Sequence, residues 1–296
     1  MATIRVLQPG DEAALEGFLQ PRISTSMFLL SNFRQMGLVD RGRLLQGTYV
    51  GAFEDDGLIG VVGHFWNGSF IPQAPLHHLD ALWRAAVAES GRAVSGVVGP
   101  YDQAEALRQA LGLDDPELFK LNTAETLYRL ALAELARPTM MDDDLTSVRR
   151  AGLDDVDRMT AWRVAYSVEV LGERESDELW ANSRDRVGHA IRNGHMWVLD
   201  VNDEPVSCSA FNAVLAEAVQ VGGVYTPPER RRRGYARCAV AGSLIDARNE
   251  GVDRAILFTD ETNLPAQRAY EALGFEAIGR YRLAILRDPV NIGLAA

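Results

Sequence analysis

The sequence predicts a mixed α/β protein, a sheet layered with helices, built from two successive copies of one plan. Three observations predict it. In the second half, antiparallel strands are followed by helix, strand, helix and strand. The same order recurs in weaker form, at similar spacing, in the first half. Between them lies Arg137-Pro138-Thr139-Met140-Met141-Asp142-Asp143-Asp144-Leu145-Thr146-Ser147, whose proline and three consecutive aspartates carry no periodicity and read as a linker.

In chain order, 48–53 reads as a strand and Asp55-Asp56-Gly57 as its turn. Residues 59–65 form the partner strand, Asn67-Gly68 turns again, and 69–71 begin a third. A helix over 76–90, a strand over 93–98 and a helix over 102–111, closing at Gly112, complete the first copy. After the linker, 148–150 form a short strand, and Asp154 is placed to cap a helix that carries Val156, Met159, Trp162 and Arg163 through Tyr166 to Val170. A second helix spans 176–191 and closes at Asn193-Gly194. Residues 195–200 form a strand, Asn202-Asp203 turn the chain into 205–211, and 216–225 complete the meander. A helix over 235–249, a buried strand over 255–258, a helix over 264–273 ending at Gly274, and one or two strands over 275–286 follow. The expected domains are 1–140 and 146–296.

The chain has 296 residues, with 41 acidic and 30 basic side chains and a net charge of −11. That length suits two domains, and 47% hydrophobic residues suffice for packed cores. No apolar run approaches the ~18 residues of a membrane helix, and the first residues lack the basic-then-apolar order of a secretion signal. Cys208 and Cys238 are too few for a disulfide framework or a four-cysteine zinc site. These features lead us to expect a cytoplasmic protein with neither membrane nor nucleic-acid partners and no metal. Cutting before Thr146 leaves 19 acidic and 11 basic residues on one side, net −8, and 22 and 19 on the other, net −3. All the basic residues are arginine except Lys120.

The imbalance is concentrated in one loop. Five of the eight residues over 230–237 are arginine, after a strand that ends at Tyr225 and is stopped by Pro227-Pro228. A helix begins near Gly234, so its unpaired N–H groups and positive dipole end face the loop. Gly234 admits a close approach and Ala236 keeps the next turn small, which suits a di- or polyphosphate. A solvated or salt-bridged arginine loop fits the same residues. Neither a dinucleotide fingerprint nor a nucleotide-triphosphate loop is present.

Arg231-Arg232-Arg233-Gly234-Tyr235-Ala236 matches the Arg/Gln-x-x-Gly-x-Gly/Ala loop of the GNAT superfamily of N-acetyltransferases, and the sequence resembles that family. A second block at the family's distance extends the match: Asp260-Glu261-Thr262-Asn263-Leu264-Pro265-Ala266-Gln267-Arg268-Ala269-Tyr270-Glu271-Ala272-Leu273-Gly274-Phe275. The resemblance covers roughly 148–286. It implies two GNAT-like domains, each with a central, mostly antiparallel twisted sheet. The first is degenerate, with Gln73-Ala74-Pro75-Leu76-His77-His78-Leu79 where the loop would lie.

The resemblance implies acetyl-CoA as co-substrate and direct acetyl transfer to an amine of a small molecule or peptide. Backbone of Arg232, Arg233, Gly234, Tyr235 and Ala236 would hold the pyrophosphate, with the side chains of Arg231 to Arg233 adding charge. Backbone of Val224 and Thr226, flanking Tyr225, would bond the pantetheine like an added strand. Gly222-Gly223 suits a bulge there, or a simple bend. Asn263 would bond the pantetheine while capping a helix, with Ala266 one turn before Tyr270. Tyr270 matches the family's acid for the leaving thiolate, or packs on Ala266 and Leu273. Glu169, on a segment that often lines the acceptor site, is the candidate base, with a water relay as the alternative. An acyl-CoA-binding module without catalysis is the rival function. The resemblance leaves monomer and homodimer open.

Other candidates read as structure. Cys238 is a small buried thiol, and His77-His78 lack metal-ligand company. His189 and His195 are six apart, off the metal-helix spacing.

Overall fold

The computed structural model describes residues 2–55 and 57–293. Along the chain run β1 (Thr3–Val6), α1 (Glu12–Leu19), α2 (Ile23–Met36), β2 (Gly47–Glu54), β3 (Gly57–Phe65), β4 (Ser69–Gln73), α3 (Leu79–Ser90), β5 (Val94–Pro100), α4 (Tyr101–Ala110) and β6 (Phe119–Ala131). Then come β7 (Thr146–Arg150), α5 (Val156–Leu171), α6 (Asp177–Arg192), β8 (Met196–Val201), β9 (Glu204–Val214), β10 (Ala218–Tyr225), α7 (Tyr235–Asn249), β11 (Arg254–Asp260), α8 (Leu264–Glu271) and β12 (Glu276–Val290). Short 3₁₀ turns aside, β1 to β6 and β7 to β12 repeat the same order of strands and helices, the mixed α/β plan expected. In both copies a three-strand antiparallel meander is followed by a crossover to a parallel strand, β4 beside β5 and β10 beside β11.

The compact units are not the two linear halves. One comprises Met1–Thr126 with Gly279–Ala296, the other Leu127–Ile278. The break falls inside β6 and β12, not at the expected linker. That segment is tied down: Arg137 bonds Asp142 and the Met141 carbonyl, and Met140 and Met141 pack against buried residues. Proline and aspartate marked irregular backbone there, not the edge of a core.

In the first unit the sheet runs β1-β2-β3-β4-β5-β12. Helix α3 buries Leu79, Leu82, Trp83, Ala86 and Val87, a stripe at helical spacing, against β2 and β3. It starts three residues later than expected, because Leu76–His78 form a 3₁₀ turn after Pro75. It ends at Gly91, left-handed at φ 62°, whose N–H bonds the Val87 carbonyl. His64 is fully buried, stacked on Phe70 at 4.2 Å with Nδ1 2.8 Å from Ser90 Oγ. Arg92 clasps Asp40 at 2.6 and 2.7 Å beside it. Strand β12 adds Ala284 and Leu286 to this core, as one strand where one or two were expected. In the expected turn at Asp55-Asp56-Gly57, Asp55 has φ 46° and Asp56 lies outside the described residues.

In the second unit the order is β11-β10-β9-β8-β7. Asn202 and Asp203, both at positive φ, close the β8–β9 hairpin as expected. Ser176 caps α6 through the Leu179 N–H at 3.1 Å. Asp154 does not cap α5: Asp155 stands at its N-cap position without a side-chain cap bond, its carboxylate accepting instead from the upstream Gly152 N–H at 2.7 Å and pairing with Arg149. Helix α7 packs over β8, β9 and β10, with Cys238, Val240 and Leu244 fully buried. Strands β1 and β6 and helices α1 and α2 had no counterpart in the sequence reading.

Candidate functional site

Strand β10 positions the site by leaving its neighbour. Its parallel pairing with β11 covers Ala218↔Arg254, Val219↔Ala255 and Gln220↔Ile256 and goes no further. Over 221–225 its bonding to β9 is interrupted by a bulge, and Gly223 there is left-handed at φ 60°. A Cβ on Gly222 would collide with the Asn212 amide. Gly223 is therefore favoured by its conformation, whereas a side chain at Gly222 would have to push the exposed Asn212 amide aside. The result is a strand edge open on the β11 side, the form an extended ligand can pair with.

Val224, half-buried, packs against the same buried cluster as Tyr270. The Tyr225 carbonyl accepts from Ser207 Oγ at 3.0 Å, and the Thr226 carbonyl accepts from Arg231 Nε at 2.9 Å. Of the backbone expected to serve pantetheine, the Thr226 carbonyl is thus already used.

Past Pro228–Arg230 the loop carries Arg232 at φ 63°, a left-handed position for a non-glycine residue, and Gly234 at φ 83°. Gly234 is the N-cap of α7, and no side chain caps the helix there. Its first-turn N–H groups are available to an anion. Tyr235 is buried, so it serves that turn through its backbone, while Ala236 keeps the turn small.

The five loop arginines divide. Arg230 pairs with Glu204 at 2.8 Å, and Arg231 pairs with both oxygens of Glu169 at 2.7 Å. Arg232, Arg233 and Arg237 form no ion pair among the described residues, and Arg237 Nε is buried without a partner. Of the two readings left open by the sequence, a salt-bridged loop describes Arg230 and Arg231 and does not describe Arg232, Arg233 and Arg237. Arg237 completes a cluster that motif matching stopped short of, since it lies one residue beyond the motif.

Glu169 has an occupation other than that of a waiting base. The Arg231 guanidinium holds its carboxylate below the ordinary carboxylate pKa. That shift is in the wrong direction for taking a proton from an amine. The partner lies 62 residues away in sequence, which hid it from helix-face reasoning.

On α8, Asn263 accepts from the Ala266 N–H at 3.2 Å, the cap expected of it, leaving its amide NH₂ free of any bond among the described residues. One turn past Ala266, Tyr270 packs edge-on to Phe275 and 6.4 Å from the Tyr128 ring. Its hydroxyl has no hydrogen-bond partner among the described residues. Burial, with a smaller contribution from Tyr166, raises its pKa well above the ordinary phenol value. Of the two readings posed for Tyr270, packing is the one this geometry displays, in a cluster that includes Leu273. Burial lifts the Cys208 thiol to about 12 and raises Cys238 as well, so neither is a ready nucleophile. No group of three metal-ligating side chains occurs among the described residues.

The first copy offers nothing comparable at the matching place. Gln73 Oε1 accepts from Thr25 and Ser26, Ala74 N–H donates to Gln103 at 2.8 Å, and no arginine is present over 73–79.

Comparison with known proteins agrees with this geometry. Residues 156–275 match the family model described as Acetyltransferase (GNAT) family. A mycothiol acetyltransferase of Thermobispora bispora is 40% identical over 58 residues, 19% of this chain and 20% of that protein. The chain thus spans about a fifth of that relative's length in the match. Among solved structures, a GCN5-related N-acetyltransferase from Sphaerobacter thermophilus has a TM-score of 0.58 at 12% identity, covering 99% of this chain and 98% of its own. A tandem GNAT protein from the clavulanic acid biosynthesis pathway has 0.55 at 13%, covering 98% and 100%. These likenesses establish the fold over both copies. Among the described residues no helix is long and apolar enough to cross a membrane. The open edge of β10, the arginine loop and α8 all lie within 156–275, and this stretch is a domain of the acetyltransferase (GNAT) family.

Proposed function

We propose that the protein is a cytoplasmic N-acetyltransferase that moves an acetyl group from acetyl-CoA to the amine of a small molecule or peptide by direct attack. The observation that carries this reading is the open edge of β10 running into a helix N-terminus with three uncommitted arginines. An extended polar chain ending in phosphates fits that sequence of features.

Acetyl-CoA supplies the activated acyl group as a thioester. Arg232, Arg233 and Arg237, with the first-turn amides of α7, would hold its phosphates. Backbone at Val224 and the Thr226 N–H would align the pantetheine, and the Asn263 NH₂ would reach it from α8. In the reaction the amine nitrogen bonds the acetyl carbon, the carbon–sulfur bond breaks, the amine loses a proton and the sulfur gains one. Tyr270 keeps its proton through the neutral range and can deliver it to the sulfur. The amine proton passes to water, because Glu169 is held by Arg231. Glu169 is instead a positioning residue that fastens the end of α5 to the loop.

Tyr270→Phe should lower kcat by about 100-fold or more, the usual scale for losing a general acid, with acetyl-CoA affinity unchanged. Thiol release from acetyl-CoA across an amine and peptide panel measures it. An unchanged kcat in single-turnover conditions would remove Tyr270 from the chemistry. Absence of thiol release with every amine would favour a binding module instead.

A further inference from the structure

A positive charge beside the bulge forms no ion pair among the described residues. Arg163 lies on α5, and its Nη1 comes within 3.8 Å of the place a Cβ on Gly223 would occupy. Its guanidinium stands 5.2 Å from the centre of the Tyr166 ring. Ala210 Cβ lies 3.7 Å from that same position at Gly223, and Ala210 packs with Cys208 and Tyr225 in one apolar cluster. Among the described residues it makes no ion pair and no hydrogen bond. Arg186 on α6 adds repulsion, while Tyr166 and, after it, Glu173 act in the opposite sense. Burial pushes the Arg163 pKa below its ordinary value.

Half-burying a guanidinium with no protein partner is unfavourable, and the five donors of its planar fork are left without one in the fold. A purely structural arginine would pair, as Arg149 does with Asp155 and Asp200. Arg163 is instead held unpaired at the left-handed glycine of β10, where, on the proposed reading, the thioester and the amine meet. We infer that Arg163 binds the carboxylate of the acceptor, so that the acceptor is an amine carrying a carboxylate close to the reacting nitrogen. The planar fork matches a carboxylate bidentately, and the surrounding apolar wall strengthens that pairing. Neither acceptor class nor this residue follows from the coenzyme loop, although the inference rests on the acetyl-transfer reading of the site.

The test compares amino acids with their carboxamides as acceptors, by thiol release from acetyl-CoA, in the wild type, Arg163→Gln and Arg163→Lys. In Arg163→Gln, kcat/KM for the best amino acid should fall by about 10-fold or more through KM, with its carboxamide changed less than about three-fold. Arg163→Lys keeps charge without the fork and should fall between; it carries the test if the glutamine variant does not fold. Acetyl-CoA affinity, measured by calorimetry, should be the same in all three. Acid and carboxamide falling together would overturn the inference. So would acetyl-CoA binding without turnover of any amino acid, or a preference for O-phosphorylated amines over carboxylates. Failure to bind acetyl-CoA at all would instead overturn the proposed function.

Discussion

Residues whose role depends on immediate neighbours were legible in sequence. Asn263 caps α8, Ser176 caps α6, and the arginine run precedes a glycine at a helix start, because caps and helix dipoles act within one turn. Residues defined by distant partners were not. Glu169 looks like a free helix glutamate until Arg231 arrives from across the fold. Arg163 reads only as one residue of the α5 helix until Ala210 of β9 and Gly223 of β10 pack beside it. His64 belongs to the same class and carries a pH signature. Burial, with Arg92 adding to it, lowers its pKa from 6.5 to about 4. The native imidazole therefore resists protonation that the unfolded chain accepts. Its share of stability is complete above pH 6.5 and is lost as pH falls towards 4, amounting to about 3 kcal/mol at the acid end. Urea unfolding across this range should show a steeper acid loss in the wild type than in His64→Phe; equal slopes would show that His64 is not held neutral.

At the scale of elements, amphipathic stripes and turn residues announced most of the fold. The α3 stripe of Leu79, Leu82, Trp83, Ala86 and Val87, and the Asn202-Asp203 hairpin, are local patterns with local causes. Strand β6 escaped because burial along it does not alternate cleanly, even though Asp114-Asp115-Pro116 turns the chain just before it. The departure of β10 from β11 was legible only as a pair of glycines, consistent with a bulge or a bend. Which of the two it is depends on Asn212 and on where β11 stops pairing, and neither is written in the local sequence. The consequence for function is direct: the element that makes the site is a missing ladder between two strands.

Over the whole molecule, the repeated plan was visible but the allocation of strands was not. Each copy ends in a strand, yet residues 279–290 of β12 serve the first unit and residues 127–131 of β6 serve the second. Hydrophobic patterning marks a strand without naming its partner, so a linear boundary at the linker was the natural expectation. Tyr281, Ala284 and Leu286 are buried in the first unit, and register runs from Tyr281↔Pro100 to Ile285↔Gly96. A chain ending at Ile278 should therefore lose hydrogen-exchange protection in β5 and β4, while β8 to β10 stay protected. Undiminished protection of β5 would mean that the first unit does not need β12. The charge distribution belongs at this scale too. In a chain of net −11, three arginines around one helix N-terminus form no ion pair among the described residues, which fits a local polyanion site, whereas a basic face for nucleic acid would be broad. Calorimetric titration with acetyl-CoA tests that directly. Binding in the micromolar range, reduced by about 10-fold or more in Arg233→Ala combined with Gly234→Asp, is the expected result. No binding at tens of micromolar, or binding untouched by the double change, would contradict it.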